Sequence, residues 1–121
     1  MSFPIATTNR LGDVRCVSCA GPHAGEPVFA DSFTDDICDI CKRPVTAPEN
    51  LITSVLKAEG GLSGFQVTAR AARAMRATGG VYSFESIREA FNRMYKAGRF
   101  VARWDRETGA RVKLLWLNPK S

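Results

Sequence analysis

Apolar positions recur with helical spacing from about residue 46 onward, and before it they do not. Leu51, Ile52, Val55 and Leu56 fall at i, i+1, i+4 and i+5, one face of a helix predicted over residues 49–58. Thr46-Ala-Pro-Glu49 has the form of a capping box with a proline in the first turn, and Gly60-Gly61 is a stop. A second helix is expected over 65–77, opened by a capping box from Ser63 to Gln66. Val67, Ala71, Ala74 and Met75 share one side of it; Arg73 and Arg76 share the other, with Arg70 flanking. A third helix over 84–97 is capped by Ser83 and ended by Gly98. Its stripe is Ile87, Ala90, Phe91 and Met94; Glu85, Glu89, Asn92 and Lys96 lie opposite, between Arg88 and Arg93. The period then falls to two. Runs at 99–104 and 112–117 flank a charged segment holding Gly109, which predicts a β-hairpin. Trp104 and Trp116 alternate with polar neighbours and are expected on one side of that hairpin, packed on the helices. Phe65 and Phe84 are expected in the core.

The first 45 residues read differently. Residues 1–12 are expected to be a flexible arm, residues 27–30 a short strand, and the acidic stretch 31–36 a loop or hairpin. What organises this part is cysteine. All four in the chain stand in two Cys-x-x-Cys pairs, Cys16/Cys19 and Cys38/Cys41, with eighteen residues between the pairs. Each pair can form a tight knuckle that points both sulfurs at one ion. Two knuckles complete a closed tetrahedral shell at metal–sulfur distances of roughly 2.3 Å. The expectation is one structural zinc ion in a zinc ribbon over residues 13–45, with no open coordination position for chemistry. Two disulfides would require an oxidising compartment, a redox Cys-x-x-Cys would normally occur once, and iron would also suit four thiolates; the spacing favours zinc. His23, the only histidine, reads as a loop residue because four thiolates already fill the shell.

Charge sharpens the division. The net charge of +5 combines a balance of −2 over residues 1–45 with +7 over residues 46–121. The basic half therefore suits a polyanion, and the acidic half suits a protein partner. The arginines are placed rather than scattered: Arg70, Arg73 and Arg76 on the second helix, Arg88, Arg93 and Lys96 on the third, Arg103, Arg106, Arg111 and Lys113 in or beside the hairpin. Guanidinium groups pair bidentately with phosphate or guanine, and Asn92 can pair with adenine.

Helix, glycine-bearing link, helix, turn, helix and hairpin: this order resembles a winged helix-turn-helix domain, over residues 49–118. The phrases that carry the likeness are Leu51-Ile-Thr-Ser-Val-Leu-Lys57, Gly61-Leu-Ser-Gly-Phe-Gln-Val-Thr-Ala-Arg70 and Met94-Tyr-Lys-Ala-Gly-Arg-Phe100. The resemblance implies that the third helix enters the major groove of duplex DNA and that the hairpin touches the adjacent backbone or minor groove. The overall expectation is an α+β chain, a small zinc ribbon joined to a winged helix over 46–121, acting as a DNA-binding transcription regulator. The alternative is an adaptor that docks on RNA polymerase or another transcription or replication protein through the acidic ribbon. Single-stranded nucleic acid is a third reading and requires Trp104, Trp116 or Tyr82 to be exposed. No catalytic set is assembled: one histidine, no spare cysteine, no phosphate loop with lysine. No apolar run approaches bilayer length and no apolar leader precedes Arg10, so the expected location is cytoplasmic, with the nucleoid if bacterial or viral.

Overall fold

A computed structural model describes residues 3–19, 25–30, 36–79, 82–104 and 113–119. It is a mixed α+β structure with three helices and small antiparallel sheets among those residues. Strands β1 (Pro4–Thr8), β2 (Val14–Cys16) and β3 (Glu26–Phe29) form one sheet in the order β2-β1-β3. Ala6 of β1 pairs with Cys16 on one side and Val28 on the other. The stretch expected as a flexible arm thus supplies the central strand of the first sheet. Pro4 costs the ladder little, because it is the first residue of the strand and a register irregularity follows it. Ile5 and Ala6 are fully buried, which fixes β1 in place.

Helices α1 (Pro48–Ala58), α2 (Gly64–Ala77) and α3 (Phe84–Lys96) follow, then β4 (Phe100–Trp104) and β5 (Lys113–Leu117), which pair antiparallel. Ser63 and Gln66 form the expected capping box on α2, and the Ser83 hydroxyl accepts from the Ser86 N–H at 3.2 Å. The box expected on α1 does not form. Ala47 occupies the cap position, without a side-chain bond, and Pro48 begins the helix. Glu49 turns instead to Arg43 and Arg93, at 3.2 and 3.4 Å.

α1 is the hub. It touches α2, α3, β1 and β5, and every residue from Asn50 to Leu56 is buried. Its polar members are satisfied locally: Thr53 donates to the Glu49 carbonyl and Ser54 to the Asn50 carbonyl. Ala71, Ala72 and Ala74 keep the buried side of α2 small enough for helices to approach closely. The buried cluster runs without a break from Ile5, Cys16 and Cys38 through Val45 into Leu51, Val67, Ile87 and Leu115.

The hairpin is tied back to the link between α1 and α2. Leu115 donates its N–H to the Leu62 carbonyl at 2.8 Å, and its carbonyl accepts from the Gly61 N–H at 2.8 Å. That single bridge adds a third, one-residue strand to the β4–β5 pair. Gly61 has φ +77°, open to glycine at no steric cost, and a Cβ there would meet the Trp116 ring at 3.1 Å.

The register corrects the expectation for the tryptophans. Trp104 pairs with Lys113, and Trp116 with Val101. Strand alternation therefore puts Trp104 on the Leu115 face and Trp116 on the opposite one. They are 57% and 37% exposed. Phe65 and Phe84 are also exposed rather than in the core. Both sit in the first turn of their helices, off the stripe that α1 covers.

Candidate metal centre and basic face

Local backbone structure brings the four sulfurs together. Cys16 closes β2, and the Cys19 N–H donates back to its carbonyl at 3.0 Å to form the first knuckle. In the second, the Lys42 N–H donates to the Cys38 carbonyl and the Cys38 N–H to the Arg43 carbonyl, both at 2.9 Å. Lys42 takes a left-handed conformation to close it, with φ 61°. Asp39 latches the second knuckle to β2: its N–H donates to the Val14 carbonyl at 2.8 Å, and its carboxylate accepts from the Val14 N–H at 2.6 Å. That latch sets Cys38 beside Cys16.

The sulfurs of Cys16, Cys19, Cys38 and Cys41 all lie within 4.8 Å of one another, and those of Cys16 and Cys41 are 3.8 Å apart. A tetrahedron of sulfurs around zinc has edges of roughly 3.8 Å, given metal–sulfur bonds of about 2.3 Å. The group can hold a metal ion, in the manner of a zinc ribbon. Its chemistry is compatible with a cation. Burial pushes the Cys16 thiol up, with the neighbouring sulfurs adding to the shift, and burial raises Cys19 as well. Burial also opposes ionisation of Cys38, but backbone N–H groups of Cys16, Cys41 and Ile40 turned toward its sulfur outweigh that and bring it down to about 6. Four thiolates this close repel one another unless a cation sits among them.

Sequence reasoning missed the residue that joins this centre to the helices. Asn50 on α1 is buried, and its amide donates to the carbonyls of Ile5 at 2.8 Å and Val45 at 2.7 Å. Its Oδ1 accepts from the Val17 N–H, one residue past Cys16, at 3.1 Å. One side chain thus holds the central strand, the linker and the first knuckle. The available signal was a lone amide inside an otherwise apolar helical run.

Among the described residues, the cations of the second half differ in their surroundings. Arg70 is paired with Glu59 at the end of α1, and Arg93 with Glu49 at its start. Arg88 reaches Glu85 at 3.8 Å. Arg73, Arg76 and Lys96 are exposed, with no ion-pair partner among the described residues. Arg103 lies 5.9 Å over the Trp116 ring. Lys113 donates to the Tyr95 hydroxyl at 3.2 Å, which joins the hairpin to α3. Asn92 and Arg88 line an open groove with Phe65 and Phe84. Arg106 and Arg111 lie outside the described residues, as do His23 and Gly109.

No protein-family model, curated protein or solved structure matches the chain. Among the described residues no helix is long and apolar enough to cross a membrane.

Proposed function

We propose that this is a zinc-stabilised DNA-binding protein, a transcription regulator whose winged helix holds duplex DNA while the ribbon serves as scaffold. The observation that carries the duplex reading is the pair Arg73 and Arg76. They stand exposed on one helix side without an ion-pair partner among the described residues, while Arg70 and Arg93 are held by carboxylates of α1. Long cations kept clear of carboxylates are available to phosphate, and each phosphate neutralised releases counterions. The helix order and the Leu62–Leu115 bridge, which closes a small sheet behind three helices, support a winged helix. For the metal, four thiolates and a sulfur spacing that matches a tetrahedral shell favour zinc, bound by Cys16, Cys19, Cys38 and Cys41. When bound, zinc supplies a closed structural crosslink. The chain's own contribution is the backbone that aims the sulfurs and the Asn50 contacts that carry that order into α1.

The test is an Arg73→Ala/Arg76→Ala double variant titrated with random-sequence duplex over a salt series. The expected result is weaker binding to all sequences, with the log–log salt slope reduced by about 2. An unchanged slope removes phosphate contact at α2.

A further inference from the structure

A chain of aromatic rings crosses the molecule from α2 to the hairpin, and the duplex reading makes no use of it. It begins at Phe65 and Phe84, 79% and 47% exposed, on two sides of an open groove of about 510 Å³ that Phe91 also lines. The Phe91 ring is 6.3 Å from Tyr95 and 5.2 Å from Phe100. The Lys113 ammonium lies 5.9 Å over the Tyr95 ring and 5.4 Å over that of Trp104. Phe91, Tyr95 and Phe100 form the continuous middle of the row, the groove joins Phe65 and Phe84 to Phe91, and Lys113 links Tyr95 to Trp104; Phe65, Phe84, Tyr95 and Trp104 are all exposed.

Cations are set between the rings. Arg88 is in the groove with Phe84, and Lys113 stands between Tyr95 and Trp104. The carboxylates of α3 lie off this line: helical geometry turns Glu85 about a quarter turn and Glu89 about a third of a turn from the edge that carries Phe84, Arg88 and Tyr95. Glu85 is also engaged by Arg88. The surface is thus a row of ring faces and edges interleaved with positive charge and one amide, Asn92, beside it.

We propose that this stripe binds single-stranded nucleic acid. Unpaired bases can stack on the rings while the backbone follows the cations; in a duplex the base faces are covered by their neighbours. A peptide can stack as well, but four exposed rings and the Lys113 ammonium between Tyr95 and Trp104, without an ion-pair partner among the described residues, favour a polyanion with many π-faces. Phe84 and Tyr95 are separated by roughly 16 Å along the α3 axis. At a base spacing of about 3.4 Å this is room for about five nucleotides. The proposal goes beyond duplex binding and uses side chains distinct from Arg73 and Arg76.

The test is a titration of the metal-loaded chain with an oligothymidylate of about 12 nucleotides, within the range of known single-strand site sizes, read by tryptophan fluorescence and by anisotropy of a labelled oligonucleotide. The variants are Trp104→Ala and Phe65→Ala/Phe84→Ala, whose side chains are exposed, with circular dichroism and metal content checked against the parent. Saturable quenching is expected in the parent. Each variant is expected to weaken oligothymidylate binding about fivefold or more, with random duplex affinity changed less than twofold. Absence of quenching, or unchanged affinity in both folded variants, overturns the proposal. Capture of a Glu/Tyr-rich peptide with no oligothymidylate binding overturns it in favour of a protein partner. Oligothymidylate binding without duplex binding supports the stripe and sinks only the duplex reading.

Discussion

The two ends of the chain reach order by different routes. The first sheet is three short strands, and among the described residues around it the buried apolar side chains besides Cys16 and Cys38 are Ile5, Ala6, Val17, Ala30 and Val45. Around α1, by contrast, Leu51, Ile52, Val55, Leu56, Val67, Met75, Ile87, Met94 and Leu115 are packed together. Apolar burial at roughly 25 cal/mol per Å² can hold the second region; the first lacks the area. A polar segment this small needs a crosslink, and four converging sulfurs provide the place for one. In the first region the edge of the shared core is made by Cys16 and Cys38, where the four sulfurs converge. The comparison also shows where the two sources of order meet, at Asn50, whose single amide is shared between strand, knuckle and helix.

Removing the metal is the strongest way to break the comparison. Structural zinc contributes on the order of 10 kcal/mol in small zinc domains. A chelator, or Cys38→Ser, is expected to expose the amides of β1 and β2 to rapid hydrogen exchange while those of α2 and α3 stay protected. Equal loss of protection throughout would mean that the two regions are not separately stabilised. Acid should act in the same direction, because every ligand must be a thiolate and protonation ejects the ion; cobalt-substituted protein would report this as loss of the thiolate charge-transfer band.

Leu115→Ala strikes the other side. Leu115 is 2% exposed at the point where the hairpin meets the helices, and its truncation is expected to cost about 3 kcal/mol. Urea unfolding should show the loss, while metal content stays at one equivalent. Asn50→Leu tests the seam. It leaves the Val45 carbonyl without its partner and reduces the Ile5 carbonyl and the Val17 N–H to the 3.3 Å bond they make with each other, a loss of about 2 kcal/mol. It should also weaken metal binding, since the first knuckle loses a backbone anchor, whereas Leu115→Ala should not. The smallest effect is expected from Arg93→Ala. Its contact with Glu49 is exposed on the arginine side, and surface pairs contribute about 0.5 kcal/mol or less. A midpoint shift as large as that of Leu115→Ala would mean that Arg93 has a packing role.

The cysteine cluster was legible because ligand spacing is a local property: each knuckle closes within four to six residues. The three helices were legible for the same reason, from i, i+4 recurrence and serine caps at Ser63 and Ser83. What failed depended on partners distant in sequence. β1, Pro4-Ile-Ala-Thr-Thr8, is a short segment opened by a proline with no strand alternation of its own, and β2 and β3 flank it to make the strand. The side on which each tryptophan falls depends on hairpin register, which sets Trp104 against Lys113 and Trp116 against Val101. Residue type alone puts Phe65 and Phe84 in the core, yet each begins a helix at a point left exposed. The charged tip of the hairpin and the stretch around His23 lie outside the described residues.

The most direct measurement is an equilibrium titration of the metal-loaded chain with random-sequence duplex DNA across a salt series. The account predicts micromolar or tighter binding at low salt, falling along a steep negative log–log slope as phosphate contacts are screened. No binding at low salt would contradict it, and would turn attention to the acidic first 45 residues and a protein partner.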